Sequence, residues 1–245
     1  MVSRQEFKAR IDDFYTFSRQ EMVGIIAAVL VTGFIFSFRD WGAEMFDAAT
    51  GLKNLLTLLI IAAISFIFRL SCQKWYSLSA GYKAEFKVWW TGLAIALVIA
   101  FVSFGRVPLV LAGTMATAFM VKQRLGEFRY GFSYWNNAMI AMWGILGNMI
   151  IAILFAVGLY FLPDSYFFQK GLILNLMMGF TSLWPVPQLE GLHIFFGSRG
   201  LYWLALAMVA LAAVLLLSQA ALGLIIVIII ATIISTVYLL VTSEK

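Results

Sequence analysis

The chain has 245 residues, 63% of them hydrophobic and only 12% charged, with a mean hydropathy of +0.95. That balance excludes an ordinary soluble domain, and several apolar stretches reach the ~17–25 residues with which a helix crosses a bilayer. The net charge of +5, which in a soluble chain would raise nucleic-acid binding, here reports loop orientation, and no nucleic-acid partner is expected.

One cysteine, Cys72, and one histidine, His193, limit the chemistry further. An internal disulfide and a cysteine-rich metal site are excluded, as is any zinc site or relay built on two histidines of one chain.

At the start of the chain, Ser3 and Glu6 have capping-box spacing, and Phe7, Ile11, Phe14 and Tyr15 fall on one helical face. Residues 3–21 are therefore expected as an amphipathic helix lying at the membrane surface. The mixed charges there, with no short apolar region before a small-residue cleavage site, argue against a cleavable signal. Ser18 and Glu21 repeat the capping spacing just ahead of a first span at 22–38. The loop 39–53 sets Asp40, Glu44 and Asp47 against Arg39 and Lys53. A second span follows from 54 to about 72, with Arg69 at its end. Two readings of that arginine stand open: the guanidinium snorkels into the headgroups, or it turns inward and pairs with an acid.

Residues 82–89 alternate in character, Tyr82, Ala84, Phe86 and Val88 against Lys83, Glu85, Lys87 and Trp89, which is a strand pattern. The apolar run 93–104 is short for a span, a length typical of re-entrant or interfacial segments. If it does not cross, Lys and Arg divide 14 against 3 between the two sides; if it crosses, 9 against 8. The positive-inside rule then favours six spans with both termini in the cytoplasm. A third span is expected at 138–162, ended by Pro163 and Asp164, and a fourth at 172–184, broken by Pro185 and Pro187. The apolar run 201–241 is twice what one helix needs and divides near 218–223 into two spans. The expected fold is an all-α membrane protein, a polytopic bundle of about six transmembrane helices with a short membrane-associated β segment at 82–89. Residues 22–245 form one membrane domain behind the surface helix 1–21, placed in the cell membrane.

Three stretches carry a further signal. The first is Arg69-Leu70 and Gln73-Lys74 on an apolar helix, followed by Gly81 and the alternating run YKAEFKVW. The second is GILGN at 144–148, and the third is SLWPVPQLEG at 182–191. In order and placement these resemble the site-2 protease family of intramembrane zinc metalloproteases, over residues 54–200. That family carries His-Glu-x-x-His-Lys on a span, then Gly and a strand; a Gly-Pro-x-x-Asn; and an Asn-Leu-x-Pro-x-Pro-x-Leu-Asp-Gly whose Asp is the third zinc ligand. Here Arg69 and Leu70 stand where His-Glu would be, Gln73 where the second His would be, and Glu190 where the Asp would be. Ile145 replaces the proline and Ser182 the asparagine.

A hydrolytic zinc centre needs three ligands, an open position for water and a base. Arginine has no lone pair to donate, leucine cannot be a base, and glutamine offers only an amide oxygen. The resemblance therefore implies a degenerate member: catalytic residues none, cofactors none and metal none. Its degenerate positions are Arg69, Leu70, Gln73 and Glu190, with Cys72, Asn148, Ser182 and His193 as further pocket residues. Arg69 is expected to supply to Glu190 the positive charge that the dication supplies in the family. A substitute metal site on Cys72, Glu190 and His193 would face repulsion from Arg69. The function that follows is a pseudoprotease whose partners are the bilayer and transmembrane protein segments, with the strand 82–89 pairing by edge addition. The alternatives are an active metalloprotease with unconventional ligands, a lipid-binding or small transporter protein, and a membrane scaffold whose site has decayed.

Overall fold

The computed structural model describes residues 4–42, 46–119 and 133–218, together with 223, 225–227, 229 and 230. The elements in order are α1 (Arg4–Phe14), α2 (Arg19–Ser37), α3 (Ala48–Ser79), β1 (Tyr82–Val88), α4 (Trp90–Val102) and β2 (Gly113–Phe119). They continue with α5 (Tyr134–Phe161), α6 (Tyr166–Ser182), α7 (Glu190–Gly197) and α8 (Arg199–Leu217). Four of these helices, α2, α3, α5 and α8, are long and apolar enough to cross a membrane. The outward faces of the bundle fit that solvent. Ile26, Leu30, Ile60, Ile64, Val98, Trp203 and Leu211 are all more than 40% exposed, an apolar exterior that water would not tolerate at this extent. The sixth expected span falls mainly outside the described residues.

The N-terminal segment differs from the expected single surface helix. α1 stops at Phe14, and Ser18 opens α2 with a reciprocal cap. Its hydroxyl accepts from the Glu21 N–H at 3.2 Å, and its own N–H donates to Glu21 Oε2 at 2.9 Å. A cap satisfies helix-end donors by breaking the chain's direction, so one amphipathic pattern becomes two helices. Ser3, the other expected cap, lies outside the described residues.

The second span is longer than its apolar stretch. Polar residues from Ser71 to Ser79 do not end α3, because no proline or glycine interrupts it until Gly81, which turns the chain at φ +87°. At 32 residues the helix is roughly 48 Å long. Arg69 is therefore ten residues inside α3 rather than at its end, and it is only 5% exposed, so the inward reading holds and snorkelling does not.

β1 forms where alternation marks it and pairs antiparallel with β2, from Tyr82↔Phe119 to Val88↔Gly113. Between them the chain makes an excursion along the bundle. α4 leaves the sheet at Trp90, and its Phe101 packs on Phe34 and Phe38 at the far end of α2, with centroids 6.0 and 5.0 Å apart. Phe104 and Gly105 then turn the chain at φ 51° and 68°. A short unpaired segment returns, with the carbonyl of Val110 taking the Thr181 hydroxyl at 2.9 Å and that of Ala112 taking the Trp89 N–H at 2.8 Å. Residues 89–112 thus form a hairpin that starts and ends beside β1. Only its tip, with Arg106, joins the opposite end.

Candidate functional site

Arg69, Leu70 and Gln73 share one stretch of α3, and the i, i+4 spacing puts Arg69 and Gln73 on one face. Facing them is the first residue of α7, Glu190, delivered by the turn 183–189 and buried to 1%. Arg69 Nη2 donates to Glu190 Oε2 at 2.5 Å, and Gln73 Nε2 donates to Oε1 at 2.6 Å. The position of Glu190 at a helix N-terminus favours its negative charge as well. A guanidinium and an amide therefore hold both oxygens of the one carboxylate.

The third wall is α5, and small residues let it close in. A Cβ at Gly144 would lie 2.5 Å from Gln73 Nε2 and 3.1 Å from Glu190 Oε2; one at Gly147 would lie 3.3 Å from the Arg69 Cα. Asn148, one residue on, is fully buried, and among the described residues neither its amide nitrogen nor its oxygen has a partner; nor does Gln73 Oε1. Buried polar atoms are almost always paired, so these three stand out among the described residues. A cavity of about 10 Å³ adjoins Arg69, Leu70, Phe66, Met178 and Ser182, room for about one water.

The remaining expected pocket residues are less central. The Ser182 hydroxyl bonds back to the carbonyl of Met178 on its own helix. Cys72 is half-buried on α3, with its sulfur 3.4 Å from where a Gly147 Cβ would stand. His193 is half-buried one helical turn after Glu190, its Nδ1 3.2 Å from the Asn137 amide nitrogen. Burial holds its imidazole below the usual histidine range, and Glu190 offsets part of that. Leu70 is buried among apolar neighbours. Among the described residues no three His, Cys, Asp or Glu side chains converge as a metal site. The residues present do not fit the zinc ion that active members of that family hold, because Glu190 is already engaged by a guanidinium and an amide.

A second buried charge pair escaped the sequence reading. Lys74 Nζ lies 2.9 Å from Glu21 Oε1 and 3.0 Å from Oε2, donates to the Thr16 carbonyl at 2.8 Å and sits 4.5 Å from the centre of the Phe17 ring. Glu21 also accepts the Phe86 N–H of β1 at 2.7 Å on Oε1. One carboxylate thus joins α2, α3 and β1. The signal was available: two cations five residues apart on one apolar helix need two acids, and Glu21 was read only as a cap. Its bond to Phe86 also occupies the free edge of β1, and Val88 on that edge is 3.1 Å from where a Gly24 Cβ would stand. A groove of about 490 Å³ persists beside it, bordered by Arg19, Glu21, Val23, Lys87, Val88 and Trp90.

Comparison of the chain with family models, with curated proteins and with solved structures finds no match.

Proposed function

We propose that the protein is a catalytically inactive, site-2 protease-like membrane protein that holds or regulates transmembrane segments of other proteins. The observation that carries this reading is the Arg69–Glu190 pair at 2.5 Å, with Gln73 on the second oxygen. A cation fixed by the chain itself stands against the acid at the position where a metalloprotease would need an open metal coordination position. About six spans, both termini in the cytoplasm and a place in the cell membrane belong to the same proposal. They rest on the distribution of Lys and Arg and on the four membrane-length helices.

The grip would lie in the groove beside β1, where a partner's unwound segment reaches the strand edge after α2 yields. Two measurements test the two halves separately. Zinc-loaded protein in liposomes is expected to leave membrane-spanning peptides intact; chelator-sensitive cleavage would overturn the inactive assignment. A photo-crosslinker at the exposed Trp90 is expected to capture membrane-spanning proteins in native membranes, and recovery of lipid alone would end the holding role.

A further inference from the structure

We propose that the end of the bundle opposite the sheet carries a binding pocket for a phosphate group, built by the tip of the hairpin 89–112. The cavity there measures about 290 Å³ and is lined by Arg39, Asp40, Arg106 and Lys170, with Phe36 and Pro108 as apolar walls. That is large against the ~10–15 Å³ that one water needs. Four cations of the described chain fall at this end, namely Arg39, Lys53, Arg106 and Lys170, and three of them border this one cavity.

Among the described residues their charge is not balanced by an equal number of acids. Asp40 is the one acid of the lining among the described residues, and its Oδ2 is already taken by Lys170 Nζ and the Tyr166 hydroxyl, each at 2.6 Å. Its backbone carbonyl is held as well, by Asn54 Nδ2 at 2.8 Å. Arg39 and Arg106 have no ion-pair partner among the described residues, and both are exposed residues bordering the one cavity. Solvent screens part of the repulsion between two exposed cations, and an anion in the cavity they share would be attracted to both.

The tip brings the two together. Gly105 sits at φ +68°, and a Cβ on it would lie 2.9 Å from the Arg39 Cγ, so the backbone before Arg106 lies directly on the stem of Arg39. Planar guanidinium groups match phosphate oxygens by paired hydrogen bonds. The site is also at the boundary where α2 ends, the level of lipid headgroups for a membrane-length helix.

The shared chemistry is an anionic phosphate, and its source is either a lipid headgroup or the free ion. Protein is reconstituted in nanodiscs of phosphatidylcholine with or without phosphatidylglycerol, and retained lipid is counted by native mass spectrometry, with millimolar inorganic phosphate as competitor. The wild-type chain is expected to retain phosphatidylglycerol selectively, and Arg39→Gln or Arg106→Gln to reduce retention about fivefold each. Lys53→Gln, a cation of the same end outside the cavity, is expected to change nothing. Retention that resists inorganic phosphate assigns the site to lipid; displacement by it, with phosphate binding seen in phosphatidylcholine discs, assigns it to the free ion. The proposal falls if neither probe binds the wild-type chain, or if a correctly folded Arg39→Gln, Arg106→Gln double variant, checked by its melting curve, binds as the wild type does.

Discussion

Two buried ion pairs, five residues apart on α3, separate two uses of charge in one bundle. Glu21 and Glu190 are both about 1–2% exposed and each faces a cation of α3. Around Glu21, however, every group is answered. The carboxylate takes Lys74, the Ser18 N–H and the Phe86 N–H, while Lys74 spends a further proton on the Thr16 carbonyl. Around Glu190 two donors meet the acid, but Oε1 of one of them, Gln73, has no partner among the described residues. The first pair fastens three elements where α2 begins. The second neutralises a buried charge and ties α3 to the start of α7.

The largest effect separating the two comes from breaking the clamp. Glu21→Leu leaves Lys74 buried without its acid and frees the Phe86 N–H, and is expected to cost about 3–5 kcal/mol, read as loss of monodisperse protein or a collapsed melting temperature in detergent. Replacing both charges of each pair in the same way sharpens the contrast. Arg69→Met with Glu190→Gln keeps one carbonyl acceptor for the Gln73 amide and is expected to change stability by no more than about 1 kcal/mol, since neutral replacements of buried pairs are often tolerated. Lys74→Met with Glu21→Gln turns an amide donor toward a backbone N–H and strands it, at about 1–3 kcal/mol. Equal melting temperatures for the two double variants would erase the distinction.

Next in size is Gly144→Ala. The added methyl would stand 2.5 Å from Gln73 Nε2, itself fixed on Glu190, so either α5 moves off α3 or the amide leaves the carboxylate. A loss of about 1–3 kcal/mol is expected from overpacking. Adding Gln73→Ala should recover most of it, because the obstructing atoms are then gone. A double variant no more stable than Gly144→Ala would show that the close approach of α5 does not depend on the polar cluster.

Much of this geometry was legible because it rests on local rules. The Ser18–Glu21 cap, the alternation of 82–89 and the apolar lengths of α2 and α5 each follow from a short window of residues. The juxtaposition of Arg69, Gln73 and Glu190 lies 117–121 positions apart in the chain and entered only through a resemblance in motif order. What stayed hidden was set by tertiary context. β2 is built from Thr114, Met115, Ala116, Thr117 and Ala118, mostly small residues around one buried methionine, and Gly113 lets it start against the Lys87 carbonyl, 2.1 Å from where a Cβ would be. The apolar stretch ends near residue 72 but α3 runs on to Ser79, and there Lys74 and Ser77 are buried. Hydropathy reads composition; it does not see a lysine's partner on another helix.

The smallest expected effect tests whether Glu190 keeps an electrostatic reach beyond its own pair. Burial lowers the His193 pKa below its ordinary value of about 6.5, and the nearby carboxylate raises it again in part. The folded protein therefore binds a proton at this site less readily than the unfolded chain. With the folded pKa the lower of the two, the contribution to stability is complete above about pH 6.5 and diminishes as pH falls below it, until the folded pKa is passed. Melting temperatures measured downward from neutral pH should show a shallow decline that His193→Gln removes. Glu190→Gln, which withdraws the charge that favours the imidazolium, should steepen the His193 part of that decline and extend it to lower pH. A decline unchanged by His193→Gln would place the acid sensitivity elsewhere; one that Glu190→Gln fails to alter would mean that Arg69 screens the carboxylate completely from the next turn of its own helix.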